Sequence, residues 1–147
     1  MKIPEKLRHF HHPTLVVIGD FDEAGLYRAF EEDIDELARV KAPEPSRPPS
    51  QGSVSSGGNR FMNPSADMDE GADRAKYIKQ IMDQVVPILQ GDIKYINLVM
   101  PAEMCRRFKE KLPENQKGLI TKIIESDLAY EPLLEIVEKL HKIDFRG

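Results

Sequence analysis

One stretch sets what this chain can fold into: Lys94 to Leu112, KYINLVMPAEMCRRFKEKL. Tyr95-Ile96-Asn97-Leu98-Val99-Met100 is an apolar run interrupted by one asparagine, the pattern of a strand covered on both faces. Pro101 cannot donate to a β-ladder, so pairing should stop there. The same proline suits the first turn of a helix, where a missing N–H costs nothing. Met104, Phe108 and Leu112 then recur on one helical face, while Arg106, Arg107, Lys109, Glu110 and Lys111 take most of the rest. Pro113 ends the helix. A buried strand running straight into an amphipathic helix is half of a βαβ unit and points to an α/β core.

The chain has 147 residues, 40% hydrophobic and 31% charged, enough for one domain with a real core. Its formal net charge of -4 argues against a wholly basic nucleic-acid binder and leaves room for a local basic patch. Cys105 is the single cysteine, which rules out an internal disulfide and fits reducing surroundings. The N-terminus has no apolar core of signal-peptide length, and no run nears the ~18 apolar residues of a membrane span. A cytoplasmic protein without membrane contact is expected.

Met1 to Pro13 reads as a polar, basic arm. His9, His11 and His12 surround Phe10, and neutral imidazoles are good zinc or nickel ligands. No Cys, Asp or Glu nearby has the spacing to complete such a site, so a loosely held terminal arm is the simpler expectation. Thr14 to Ile18 is the clearest strand. Asp20, Asp22 and Glu23 follow at its carboxyl end, as oxygen ligands for Mg²⁺ or, the preferred reading, as a solvated acidic turn. Ala24 to Val40 allows two readings. Leu26, Phe30, Ile34 and Leu37 fit a helical face, and Gly25–Glu31 with Ile34–Val40 fit a hairpin turning at Glu32-Asp33.

From Ala42 to Gly71 the composition shifts to Pro, Ser, Gly and charge. Too little apolar surface offsets chain entropy there, so a flexible or disordered loop within the domain is expected. Arg60 and Phe61 interrupt it, as a stacking or docking contact or as a peg to the body. Asp73 to Gln90 reads as a helix with Ile78, Ile81, Met82, Val85 and Leu89 on one face. Leu119 to Glu125 is a further strand. A last helix carries Leu133, Leu134, Ile136, Val137 and Leu140, with Lys139, His141 and Lys142 at its negative end.

TLVVIGDFDEAGLYRAF, GNRF, INLVMPAEMCRRFKEKLP and IIESDLAYEPLLEIVEKL, in that order, span nearly the whole chain. Together they resemble the bacterial host attachment protein family, proteins required for attachment to host cells. That family is in turn similar to the middle domain of archaeal and eukaryotic peptide-chain release factors and of Pelota-type ribosome rescue factors. The resemblance implies a single-domain α/β fold, RNase H-like and ribosomal-protein-like, with a mixed sheet in the order βββαβαβα flanked by helices. It also implies that Gly25 to Val40 forms two strands. Release factors of this type carry a Gly-Gly-Gln tip on a mobile loop, and Gly57-Gly58-Asn59 lies in the corresponding place. A glycine pair permits close backbone approach.

Other chemistry is set aside. A two-metal nuclease needs carboxylates from several elements. Asp20 is available, but the fourth strand ends in Val99-Met100-Pro101. No phosphate loop or nucleophile elbow occurs. Cys105 lies inside a helix with no histidine near in sequence, as a structural thiol would. No cofactor and no metal are expected. The candidate interaction residues are Gly57, Gly58, Asn59, Arg60 and Phe61 in the loop and Arg106, Arg107, Lys109 and Lys111 on the helix, the latter as a nucleic-acid contact or a solvated face. The expected function is a non-enzymatic binding module for RNA, the ribosome or a translation partner. The alternatives are an interaction protein acting indirectly in host-cell attachment, and a peptidyl-tRNA hydrolase working through Gly57-Gly58-Asn59.

Overall fold

Six consecutive buried residues, Thr14–Gly19, form the central strand β1 of a five-stranded mixed sheet. A computed structural model describes residues 1–43 and 62–143, with the backbone alone at 62–70. β2 is Glu23–Phe30 and β3 is Asp33–Lys41. The long helix α1 spans Met62–Leu89, then come β4 (Tyr95–Met100), α2 (Ala102–Lys111), β5 (Ile120–Glu125) and α3 (Leu133–His141). The strand order is β3-β2-β1-β4-β5. β1 pairs antiparallel with β2 and parallel with β4, and β4 pairs parallel with β5. The fold is therefore a single mixed α/β domain whose element order is the expected βββαβαβα.

The ambiguous segment is a hairpin. Phe30 pairs with Asp33, so the turn is Glu31-Glu32, with Glu31 in the left-handed region at φ 55. Leu26 and Ile34 are fully buried, as either reading required. Leu37 decides between them. The β2–β3 register shifts between Leu26 and Tyr27, so β3 carries an extra residue there. Leu37 falls in that bulge and is 45% exposed. Helical periodicity counted it as core because one bulged residue mimics a helical step.

Strand alternation divides the core into two layers. Leu15, Val17, Leu26, Ile96 and Leu98 meet Tyr77, Ile78 and Ile81 of α1 and Met104 and Phe108 of α2. Val16, Ile18, Ala29, Ile34 and Val99 meet Ile136, Val137 and Leu140 of α3 on the other face. Pro101 caps α2 and Leu112 closes it, as the flanking prolines dictate.

Two expectations are corrected. The N-terminal arm is not loosely held: Ile3 and Phe10 are buried in the second layer. The Met1 ammonium donates to the Ile34 carbonyl and to Asp35 Oδ1, both at 2.8 Å. Two well-spaced apolar side chains are enough to dock the arm, although no periodic pattern marks them. The helix expected from Asp73 begins at Met62, inside the segment 42–71 assigned to a loop. Its first turns lack an apolar stripe, and Pro64 is tolerated because it lies in the first turn.

Candidate functional site

Gly57, Gly58, Asn59, Arg60 and Phe61 lie outside the described residues. The four basic candidates of α2 separate into two kinds. Arg107 Nε donates to Glu103 Oε2 at 3.1 Å, and Arg74 Nη1 of α1 donates to Glu103 Oε1 at 2.7 Å. Arg107 first, then Arg74, hold the Glu103 carboxyl below its ordinary value. Arg74 also lies 4.4 Å over the Phe21 ring. Arg107 is thus part of a bridge joining α1, α2 and the β1–β2 turn. Arg106 faces Glu110 one turn on, at 3.4 Å and well exposed, a pair of little energetic weight.

Lys109 and Lys111 have no ion-pair partner among the described residues. Lys111, at the end of α2, shares a groove of about 490 Å³ with Ala75, Lys76, Lys79 and Met82 of α1. Lys76 and Lys79 are three residues apart and so lie on one helix face. Lys79 reaches Asp83 at 3.4 Å, with both side chains mostly exposed. A phosphate can replace so weak a partner. The groove therefore presents three ammonium groups around a largely buried methionine, which suits a linear polyanion.

The opposite sheet face carries a second concavity, of about 440 Å³, at the amino ends of β1, β4 and β5. His9 to His12 of the arm form one wall, and Ile143 beyond α3 closes another. Thr14, Asn97, Thr121 and Lys122 lie at its floor, all under one-tenth exposed. Thr121 Oγ1 donates to Asn97 Oδ1 at 3.1 Å, and Lys122 Nζ donates to the Leu140 carbonyl in the last turn of α3 at 3.0 Å.

No family model matches the chain, and no curated protein matches it significantly, so the resemblance to the host attachment family gains no support. The solved structures that run similarly include two translation termination or termination-like factors. One is Dom34 of S. cerevisiae, a translation termination-like factor involved in RNA quality control pathways, at 12% identity and TM-score 0.44 over 86% of this chain. The other is the archaeal translation termination factor aRF1, at 12% identity and TM-score 0.42 over 86% of this chain. The chain spans only 35% and 37% of those structures. Nothing about activity or partners follows from likenesses this distant.

His9 has a neutral ring. Burial pulls its imidazole down to about 4, and the nearby Lys122, His141 and His11 charges push the same way. Its Nδ1–H donates to the Leu7 carbonyl at 2.9 Å, and its buried Nε2 has no partner. Because the folded value lies below the ordinary 6.5, the stability from keeping His9 neutral is complete above pH 6.5. It is lost as the pH falls towards 4. Urea midpoints at pH 7 and pH 4.5 should differ more for the wild type than for His9→Phe. The difference should be about 1–2 kcal/mol after allowance for partial solvent screening. Equal losses in the two proteins would remove His9 as the cause.

Asp20 and Cys105 have structural positions. Asp20 Oδ1 accepts from the Asp22 and Glu23 N–H groups at 2.8 and 2.9 Å, which makes it the cap of the β1–β2 turn. Burial pushes the Cys105 thiol up to about 11, so it stays protonated at neutral pH. Among the described residues no three His, Cys, Asp or Glu side chains are grouped to hold a metal ion, and no helix is long and apolar enough to cross a membrane.

Proposed function

We propose that this protein is a non-enzymatic module that binds RNA through its phosphate backbone, ribosomal RNA included. The groove between α1 and α2 is the main contact. The observation that carries this reading is the convergence of Lys76, Lys79 and Lys111 on one groove in a chain whose net charge is negative. A local cationic site on an acidic protein gives binding that is electrostatic, sequence-tolerant and sensitive to salt. Lys109 extends the site, and Arg106 can exchange Glu110 for a phosphate oxygen. Arg107 supports the helix pair and makes no such contact. The segment Gly57-Gly58-Asn59-Arg60-Phe61 is proposed as a second contact, with Phe61 and Arg60 stacking on unpaired bases. Any effect on host-cell attachment is then an indirect result of losing an RNA-bound factor.

Co-sedimentation with ribosomes at several salt concentrations tests the reading. The protein should pellet with ribosomes at low salt and be released as salt rises. Absence from the pellet at low salt would remove the ribosome as its target.

A further inference from the structure

The described residues bury four polar or charged side chains to below one-tenth exposure, Thr14, Asn97, Thr121 and Lys122, and all four line the single cleft at the amino ends of β1, β4 and β5. Burying such groups is unfavourable unless they find partners. Scattered burial would be ordinary, whereas collection in one concavity marks a site built to meet polar atoms.

Their hydrogen bonds leave a defined set of unmet needs. Thr121 fixes the Asn97 carboxamide through its oxygen. The Asn97 Nδ2 group has no hydrogen-bond partner among the described residues. The His9 ring is fixed from its other nitrogen by the Leu7 carbonyl, so Nε2 remains a buried acceptor with no partner. Rings supply the walls: His9 lies 4.0 Å from Phe10 between centroids, and His12 meets Tyr95 edge-on at 5.6 Å. The volume of about 440 Å³ falls in the range of small-molecule pockets. Aromatic lining residues, one donor and one acceptor without partners together suit a planar heteroaromatic ring with both functions on its edge.

We propose that this cleft binds a nucleobase, with Asn97 Nδ2 donating to a ring acceptor, His9 Nε2 accepting from a ring N–H or amino group, and the aromatic walls enclosing the ring. Lys122 is held against the end of α3 by its hydrogen bond to the Leu140 carbonyl. The site lies on the sheet face opposite the α1–α2 groove and is independent of it. A free nucleoside carries no phosphate for the lysines to bind, so the two readings fail separately.

The full-length protein, labelled with ¹⁵N, should be titrated with adenosine, guanosine, cytidine and uridine, with phenol as an aromatic control. At least one nucleoside should give saturable shifts at the Asn97 side-chain amide and at the Thr121 and Lys122 backbone amides. Its affinity should fall about tenfold or more in His9→Phe and in Asn97→Leu. His9→Phe keeps a ring in the wall and decides the question alone if Asn97→Leu does not fold. Four outcomes would overturn the proposal: no shifts with any nucleoside at millimolar concentration, shifts centred on α1 and α2, phenol binding as tightly as the nucleosides, or undiminished affinity in folded His9→Phe.

Discussion

Phe108→Ala is expected to destabilise the protein by about 3–5 kcal/mol, a large part of the stability of a domain this size. Phe108 is fully buried and is among the largest side chains the core encloses. It belongs to a helix of ten residues whose buried face consists of Met104, Cys105 and Phe108. So short a helix is not stable on its own and depends on packing. Truncation leaves a cavity against β4 and α1 that Met104 and Leu112 cannot fill without losing their own contacts. Urea denaturation should show a lower midpoint with an unchanged slope. A loss below about 1 kcal/mol would mean that the layer under α2 repacks freely, against the close packing described.

Lys122→Glu should cost about 3 kcal/mol or more, and Lys122→Met distinctly less. Lys122 is 7% exposed, and its ammonium donates to the Leu140 carbonyl, in the negative end of α3. Methionine keeps the aliphatic volume and removes a donor. Glutamate adds a buried like charge against the helix end, so desolvation and repulsion act together. Thermal unfolding of both variants at pH 7 compares the two effects. Equal destabilisation would show that a negative charge introduced at this position is immaterial.

Much of this architecture was legible in the sequence because it rests on local rules. The prolines at 101 and 113 delimit α2, and apolar runs, broken in β4 only by Asn97, mark β1 and β4 as strands buried on both faces. The β2–β3 hairpin was not legible locally, because the bulge at Leu37 gave a strand pair the spacing of a helix. The arm's attachment through Ile3 and Phe10 depends on surfaces that exist only once the second layer has formed. The basic face was half legible. Sequence placed Arg106, Arg107, Lys109 and Lys111 on one helix but could not show that Glu103 and Glu110 engage the arginines. It also could not show that Lys76 and Lys79 join Lys111 from a helix some thirty residues earlier. The polar cleft was missed, although it left two signals. One was Asn97 inside an apolar strand, and the other was the histidine cluster beside Phe10. The parallel pairing of β5 with β4 sets Lys122 beside Asn97.

The central claim is that an acidic chain binds RNA through one lysine groove. It is tested most directly by fluorescence anisotropy with a single-stranded RNA oligonucleotide, comparing the wild type with the Lys76→Glu/Lys111→Glu double variant over a range of salt concentrations. For about three phosphate contacts the wild-type affinity should fall with salt with a logarithmic slope of about -2, sequence-independently. The double variant should bind at least about tenfold more weakly at low salt, with a shallower slope, and should keep its thermal stability, since both lysines are exposed. Wild-type affinity and slope retained in the double variant, or no binding by the wild type at low salt, would contradict the account.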